Sequence, residues 1–188
     1  MYPLKFVPFP ELHSERLHLR ELNEEDVEAI YSLRSNEAVN TYINRPLATH
    51  RSDARYFIHS MKDGILAGEW VYWGICIKEW PEVIGTICLW EFSRDWGAEI
   101  GYEMHPDFQG MGYMREAARA VLAYGFEELN LSYIIGIMHA QNQPSRRLMD
   151  KLGFGYELTL SKAEKSVRES SIGMVKYRLD KEDWQSQS

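Results

Sequence analysis

Residues 109–114 read Gln-Gly-Met-Gly-Tyr-Met and stand between strand formers that end at Pro106 and helix formers that start near Arg115. A strand, a tight loop with two glycines and a helix aim successive backbone N–H groups, and the positive end of the helix dipole, at one spot. Such a spot suits a phosphate. Gly110 and Gly112 would keep side chains away from the anion and tolerate a positive φ. The loop is a poor P-loop, because Gly112 is followed by Tyr113 rather than Lys. It is also a poor dinucleotide fingerprint, whose third glycine would fall at Arg115. A tight turn without a ligand is the alternative reading of this segment taken alone.

A second group of polar residues, Asn142, Ser145, Arg146 and Arg147, precedes Leu152, Gly153 and Phe154. Upstream of the loop, Glu99 and Glu103 share one face of a strand, since side chains alternate. The elements that must position these groups follow from the hydrophobic pattern. Residues 1–13 read as an extension, because Pro3, Pro8 and Pro10 block a helix. Residues 16–22 alternate as a strand with Leu17 and Leu19 inward. Asn23 caps a helix carrying Val27, Ile30 and Leu33, and a second helix starts near Ser52. Strands at 70–78, 83–92 and 98–104 form an antiparallel meander, with a turn at 79–82 around Pro81. A helix over 115–129 and a strand over 133–139, buried on both faces, follow. A short helix over 144–152, closing strands at 155–160 and 171–179 and a frayed polar tail from 180 to 188 complete the chain. The order predicts one mixed α/β (α+β) domain over 14–179, built on a central, mostly antiparallel sheet flanked by helices.

Composition bounds the function. The 188 residues carry a formal charge of −7, which argues against nucleic-acid binding. With 45% hydrophobic and 26% charged residues, the chain is of ordinary globular composition. No apolar run approaches a membrane span, and the first ten residues lack the apolar stretch of a signal peptide, so a cytoplasmic location is expected. Cys76 and Cys88 read as buried, reduced thiols. His13 and His18 are not supported by neighbouring ligands at a metal spacing, so no metal site is expected. Trp70, Trp73, Trp80, Trp90 and Trp96 supply mainly core and strand-pair packing, with one or two available to floor a pocket. Oligomeric state, monomer or homodimer, is open.

The paired segments, Gln109–Met114 and Asn142 through Phe154, resemble the GNAT acetyltransferase superfamily, and specifically its RimJ/RimL-like branch. The family's loop is Gln/Arg-x-x-Gly-x-Gly/Ala, and Met114 departs from it at the last position, where a helix former does little harm. The opening residues 15–20 are similar to that branch's first strand. The resemblance implies a sheet splayed between the strands 98–104 and 133–139, with acetyl-CoA in the cleft. Its pantetheine arm would pair with backbone near Met104 and His105, its diphosphate would rest on Gln109, Gly110, Met111, Gly112, Tyr113 and Met114, and Asn142 would bond the pantetheine.

The reaction so implied is direct attack of a primary amine on the thioester in a ternary complex. The acceptor would be a protein N-terminus, or else a small amine such as a polyamine, amino acid or aminoglycoside. A non-catalytic acyl-CoA sensing domain is the rival. Ser145 would protonate the departing thiolate, unless it only caps its helix. A backbone N–H near Met104 would hold the oxyanion. Glu99, Glu103 and Glu164 are the candidate bases, Glu164 lying in an otherwise solvated charge run. Neither cysteine sits beside a histidine or a helix start, which argues against a covalent enzyme intermediate. Arg146 or Arg147 could meet a nucleotide phosphate.

Overall fold

The computed structural model describes residues 4–161, 171 and 173–186. β1 (Leu12–His13) and β2 (Leu17–Arg20) form an antiparallel hairpin. Leu17 and Leu19 are fully buried, as the alternation predicts. The chain turns at Asn23, whose side chain accepts from Glu25 N–H while Asp26 accepts from Asn23 N–H. Asp26 also takes two bonds from Arg20, so the turn is locked to β2. α1 (Val27–Ser35), the short α2 (Glu37–Asn40) and α3 (Arg51–Ala67) follow. α3 ends at Gly68 in the left-handed region, the usual terminator where only glycine is unstrained.

β3 (Val71–Ile77), β4 (Trp80–Trp90) and β5 (Gly97–Met104) make the predicted meander. The turn is tighter than expected. Only residues 78–79 are outside the strands, and Pro81 lies inside β4. A register shift sits beside it, between Cys76 and Ile77, which is where a strand tolerates the missing N–H. α4 (Tyr113–Ala123) stops six residues before the expected end and passes into a π-helical turn at Tyr124–Glu128. The turn brings Gly125 against Ile134, Leu131 and Leu89 with no room for a side chain.

β6 (Tyr133–Met138), α5 (Gln143–Lys151), β7 (Gly155–Thr159), β8 (Val175–Asp180) and α6 (Lys181–Ser186) complete the fold. The eight strands lie in the order β1-β2-β3-β4-β5-β6-β8-β7, all antiparallel except the parallel pair β5 and β6. One apolar layer joins α4 and α6 to the sheet, and another packs α1 and α3 on its other elements.

Three expectations are corrected. β6 is not buried on both faces. It alternates half-buried Tyr133, Ile135 and Ile137 with buried Ile134, Gly136 and Met138, so only one face is fully covered. The tail is not frayed over 181–186. It forms α6, anchored by buried Trp184 stacked on Phe126 at 5.9 Å. The N-terminal stretch is extended but built in, with Phe6 buried and Pro10 accepting a bond from Trp73 Nε1. His13 and His18 stack across the hairpin, and Glu11 bonds His18, so three metal-ligating atoms lie within 4.8 Å of one another.

Candidate active site

β5 and β6 pair only from Gly97/Tyr133 to Glu99/Ile135. Beyond that point they diverge and open the sheet. His105 N–H donates to Ile84 C=O on β4. By the alternation of an antiparallel ladder, the Met104 backbone therefore faces away from β4 and towards the opening. Its carbonyl already accepts from Gln109 Nε2 at 2.9 Å, so Gln109 ties the loop to the strand end. The Met104 amide points the same way and is placed to donate.

The loop behaves as its glycines require. Gly110 and Gly112 have φ of 77° and 83°, and a Cβ on Gly110 would meet nothing within 4 Å. The surface there is open backbone, and Gly112 is the N-cap of α4, leaving its first N–H groups free to bind an anion. His105 accepts from Asp107 N–H through Nδ1. Arg16, at the start of β2, holds the loop from behind. It bonds Glu116 of α4 at 2.7 Å and the Met111 carbonyl at 3.2 Å, and lies 4.5 Å from the Tyr113 ring. Sequence reading passed over it, since nothing local links residue 16 to residue 111. Arg16→Ala is expected to raise the KM for a phosphate-bearing donor about fivefold, with a smaller change in kcat, because an exposed ion pair orders rather than builds the loop. Steady-state kinetics at varied donor concentration checks it.

A cavity of about 400 Å³ runs from this opening under α1 and α3. Asn142, Ser145, Tyr102 and His139 line it, and so do Arg34, Arg45, Glu99 and Glu103. Asn142 accepts from Ser145 N–H and so caps α5 through its oxygen. The Ser145 hydroxyl is directed to the Tyr102 phenol rather than spent on its own helix. That phenol is buried, with Ser145 beside it. Burial pushes that phenol up to about 12, and Ser145 holds back part of the rise. Tyr102 has the opposite parity to Glu99 and Glu103 on β5, so a reading fixed on the carboxylates missed it.

Glu99 and Glu103 are both buried on the cavity side of β5. Glu103 has both oxygens engaged, one by Arg45 at 2.5 Å and one by Thr86 at 3.3 Å. Arg45 is steadied in turn by buried Asn40. Glu99 sits at the last paired position before the strands part. Glu164 lies outside the described residues. Tyr42 stacks on His139 at 5.4 Å and roofs the cavity. Trp70 and Trp90 line it, Trp73 is core, and Trp80 and Trp96 are exposed. A Cβ on Gly64 would overlap the Trp70 ring, and Trp70 donates to Met61 C=O, so the end of α3 positions that wall.

Cys88 also lines the cavity, but burial pushes its thiol up to about 12, and burial likewise raises Cys76. Neither is a thiolate at neutral pH. Arg146 bonds the Tyr177 hydroxyl and the Ala140 carbonyl, while Arg147 is exposed.

Residues 16–155 match the Acetyltransferase (GNAT) domain family. An uncharacterised N-acetyltransferase, p20 of Bacillus licheniformis, is 35% identical over 156 residues, or 82% of this chain and 88% of that protein. Among solved structures, a putative ribosomal-protein-serine acetyltransferase from Vibrio cholerae superposes with a TM-score of 0.78 at 20% identity, covering 92% of this chain and 98% of that one. Spermidine N-acetyltransferase from Vibrio cholerae, in complex with CoA and spermine, superposes with a TM-score of 0.76 at 20% identity, covering 92% and 99%.

Proposed function

The chain belongs to the acetyltransferase (GNAT) family, and from that premise we propose that it moves the acetyl group of acetyl-CoA to a primary α-amine in a ternary complex. The observation that carries this reading is the parting of β5 and β6 after Glu99, which leaves the outward Met104 amide beside a cavity lined by Glu99 and Ser145.

The donor fits the residues present. The diphosphate rests on the loop amides from Gln109 to Met114, and the pantetheine arm runs along the outward backbone of β5 at Met104. Asn142 keeps its amide nitrogen for that arm, its oxygen being engaged in the cap. Glu99, directly or through a water, takes the proton that the amine must lose. The nitrogen attacks the thioester carbon, and the Met104 N–H holds the oxyanion that forms. As the carbon–sulfur bond breaks, the Ser145 hydroxyl gives a proton to the sulfur, with the protonated Tyr102 phenol beside it as the next donor. The products are an amide and CoA. Glu103, bonded to Arg45 and Thr86, shapes the cavity rather than moving a proton.

A protein N-terminus is the leading acceptor class. The fold neighbour named for ribosomal-protein serine acetylation is in keeping with it, though that likeness speaks for fold alone. A polyamine fits less well. Its several ammonium groups would share the cavity with Arg34 and Arg45.

Ser145→Ala is expected to lower kcat about ten- to a hundredfold, the range of a lost acid. Acetyl-CoA affinity should change little, since the hydroxyl acts at the sulfur late in the reaction. Release of CoA thiol against a panel of free N-terminal peptides and small amines, with calorimetric acetyl-CoA binding, tests both statements. Binding without thiol release from any amine would favour a sensing domain instead.

A further inference from the structure

The cavity lining carries two guanidinium groups and two carboxylates, Arg34, Arg45, Glu99 and Glu103. Arg45 and Glu103 are bonded to each other. Arg34 is different. Among the described residues its guanidinium makes no hydrogen bond and no ion pair, and it lies over the Phe57 ring with its central carbon 3.9 Å from the centroid. Burial disfavours its charge, and repulsion from Arg45 adds to that, while Glu103 offsets part of it. A cation so placed retains all five donors. Stacking on Phe57 fixes the plane of the fork, and a planar fork matches a carboxylate through two parallel bonds. Phe57 is itself held edge-on by Tyr72, so the stack has a firm floor.

Resting on the acetyl-transfer reading above, we infer that Arg34 is an anion subsite of the acceptor pocket, and that the acceptor is a primary amine bearing a carboxylate. The two ends of such a molecule answer two opposite charges in one cavity, with the amine at Glu99 and the carboxylate at Arg34. A carboxylate can reach the site from either of two sources, a free amino acid or the acidic side chain of a peptide's first residue. The chemistry at Arg34 is the same in both.

The test uses the full chain. Thiol release from acetyl-CoA is followed with free L-amino acids and their carboxamides, and with dipeptides beginning in Asp or Glu beside those beginning in Asn or Gln. Acids are expected to exceed their amide partners in kcat/KM by about tenfold or more, the size of a charge-assisted hydrogen bond. The pair that shows this ratio identifies the source of the carboxylate. Arg34→Gln should bring the ratio close to one, and Arg34→Lys should retain part of it, with melting temperature reporting that each variant is folded. Should the Gln variant not fold, the ratio in the Lys variant decides.

Calorimetry of the CoA-loaded protein with N-acetyl-amino acids and N-acetyl-amino-acid amides reads the subsite without any chemistry. Equal turnover of acids and amides by the wild type, or an equal loss of both in Arg34→Gln, overturns the subsite and leaves acetyl transfer standing. No thiol release from any amine, with acid-selective binding that Arg34→Gln abolishes, keeps the subsite and overturns the transfer reading. Absence of acid selectivity in both turnover and binding overturns the subsite.

Discussion

Gly112→Glu is expected to weaken acetyl-CoA binding at least a hundredfold. Two effects add. Gly112 has φ of 83°, a conformation that costs a side-chain-bearing residue about 1–3 kcal/mol, so the N-cap of α4 would shift. The new carboxylate, starting 3.4 Å from the Arg16 guanidinium, would also draw that group off Glu116 and Met111 and so disorder the loop whose amides gather the anion. A hundredfold corresponds to about 2.7 kcal/mol, within the sum of the two. Titration calorimetry measures it, and an affinity within twofold of wild type would remove the loop from the donor site. A melting curve separates this from misfolding. Among the described residues, a Cβ at 112 would meet within 4 Å only the end of the Arg16 side chain, at 3.4 Å, so the core should be untouched.

Glu99→Gln is expected to lower kcat/KM about a hundredfold or more at pH 7, within the range for a lost general base. The deficit should shrink as pH rises to 9. An α-amine with a pKa near 8 is about one-tenth neutral at pH 7 and about nine-tenths neutral at pH 9, so solvent then does what the carboxylate did. A merely structural role for Glu99 would give a deficit that pH does not repair. Rate profiles of wild type and variant across this range decide between the two.

The scaffold was largely legible because its signals are local. The Leu17/Leu19 alternation, the glycine pair before α4 and the Pro144-to-Gly153 helix each state their structure within a few residues. The failures came where a distant partner overrides local preference. Trp184 looks like part of a polar tail until Phe126 supplies its stacking surface. Pro81 reads as a turn until the irregular register beside it makes room inside β4. The shape of the glycine loop was legible for the same reason as the scaffold, since its own residues form it. The cavity is assembled from α1, the segment after α2, α3, four strands and α5 with the loop before it. Arg34, Arg45 and Tyr102 carry no sequence mark of their own, because what distinguishes them is what they face.

The parting of β5 and β6 has a bearing on the endurance of the protein as well as on its chemistry. Unmatched backbone groups on a strand normally attract another chain. Here they lie in a notch inside the sheet, flanked by paired strands on both sides, so a thin linear molecule can enter where a twisted strand of another protein cannot. On the proposed reading, the donor substrate would enter this notch, complete the sheet and bind the folded chain alone. At a hundredfold excess over its dissociation constant, such a ligand adds about 2.7 kcal/mol to stability. That is a large share of the roughly 5–15 kcal/mol that holds a domain together. The lifetime of this protein in a cell would then follow the supply of acetyl-CoA, rising when acetyl groups are abundant and falling when they are scarce.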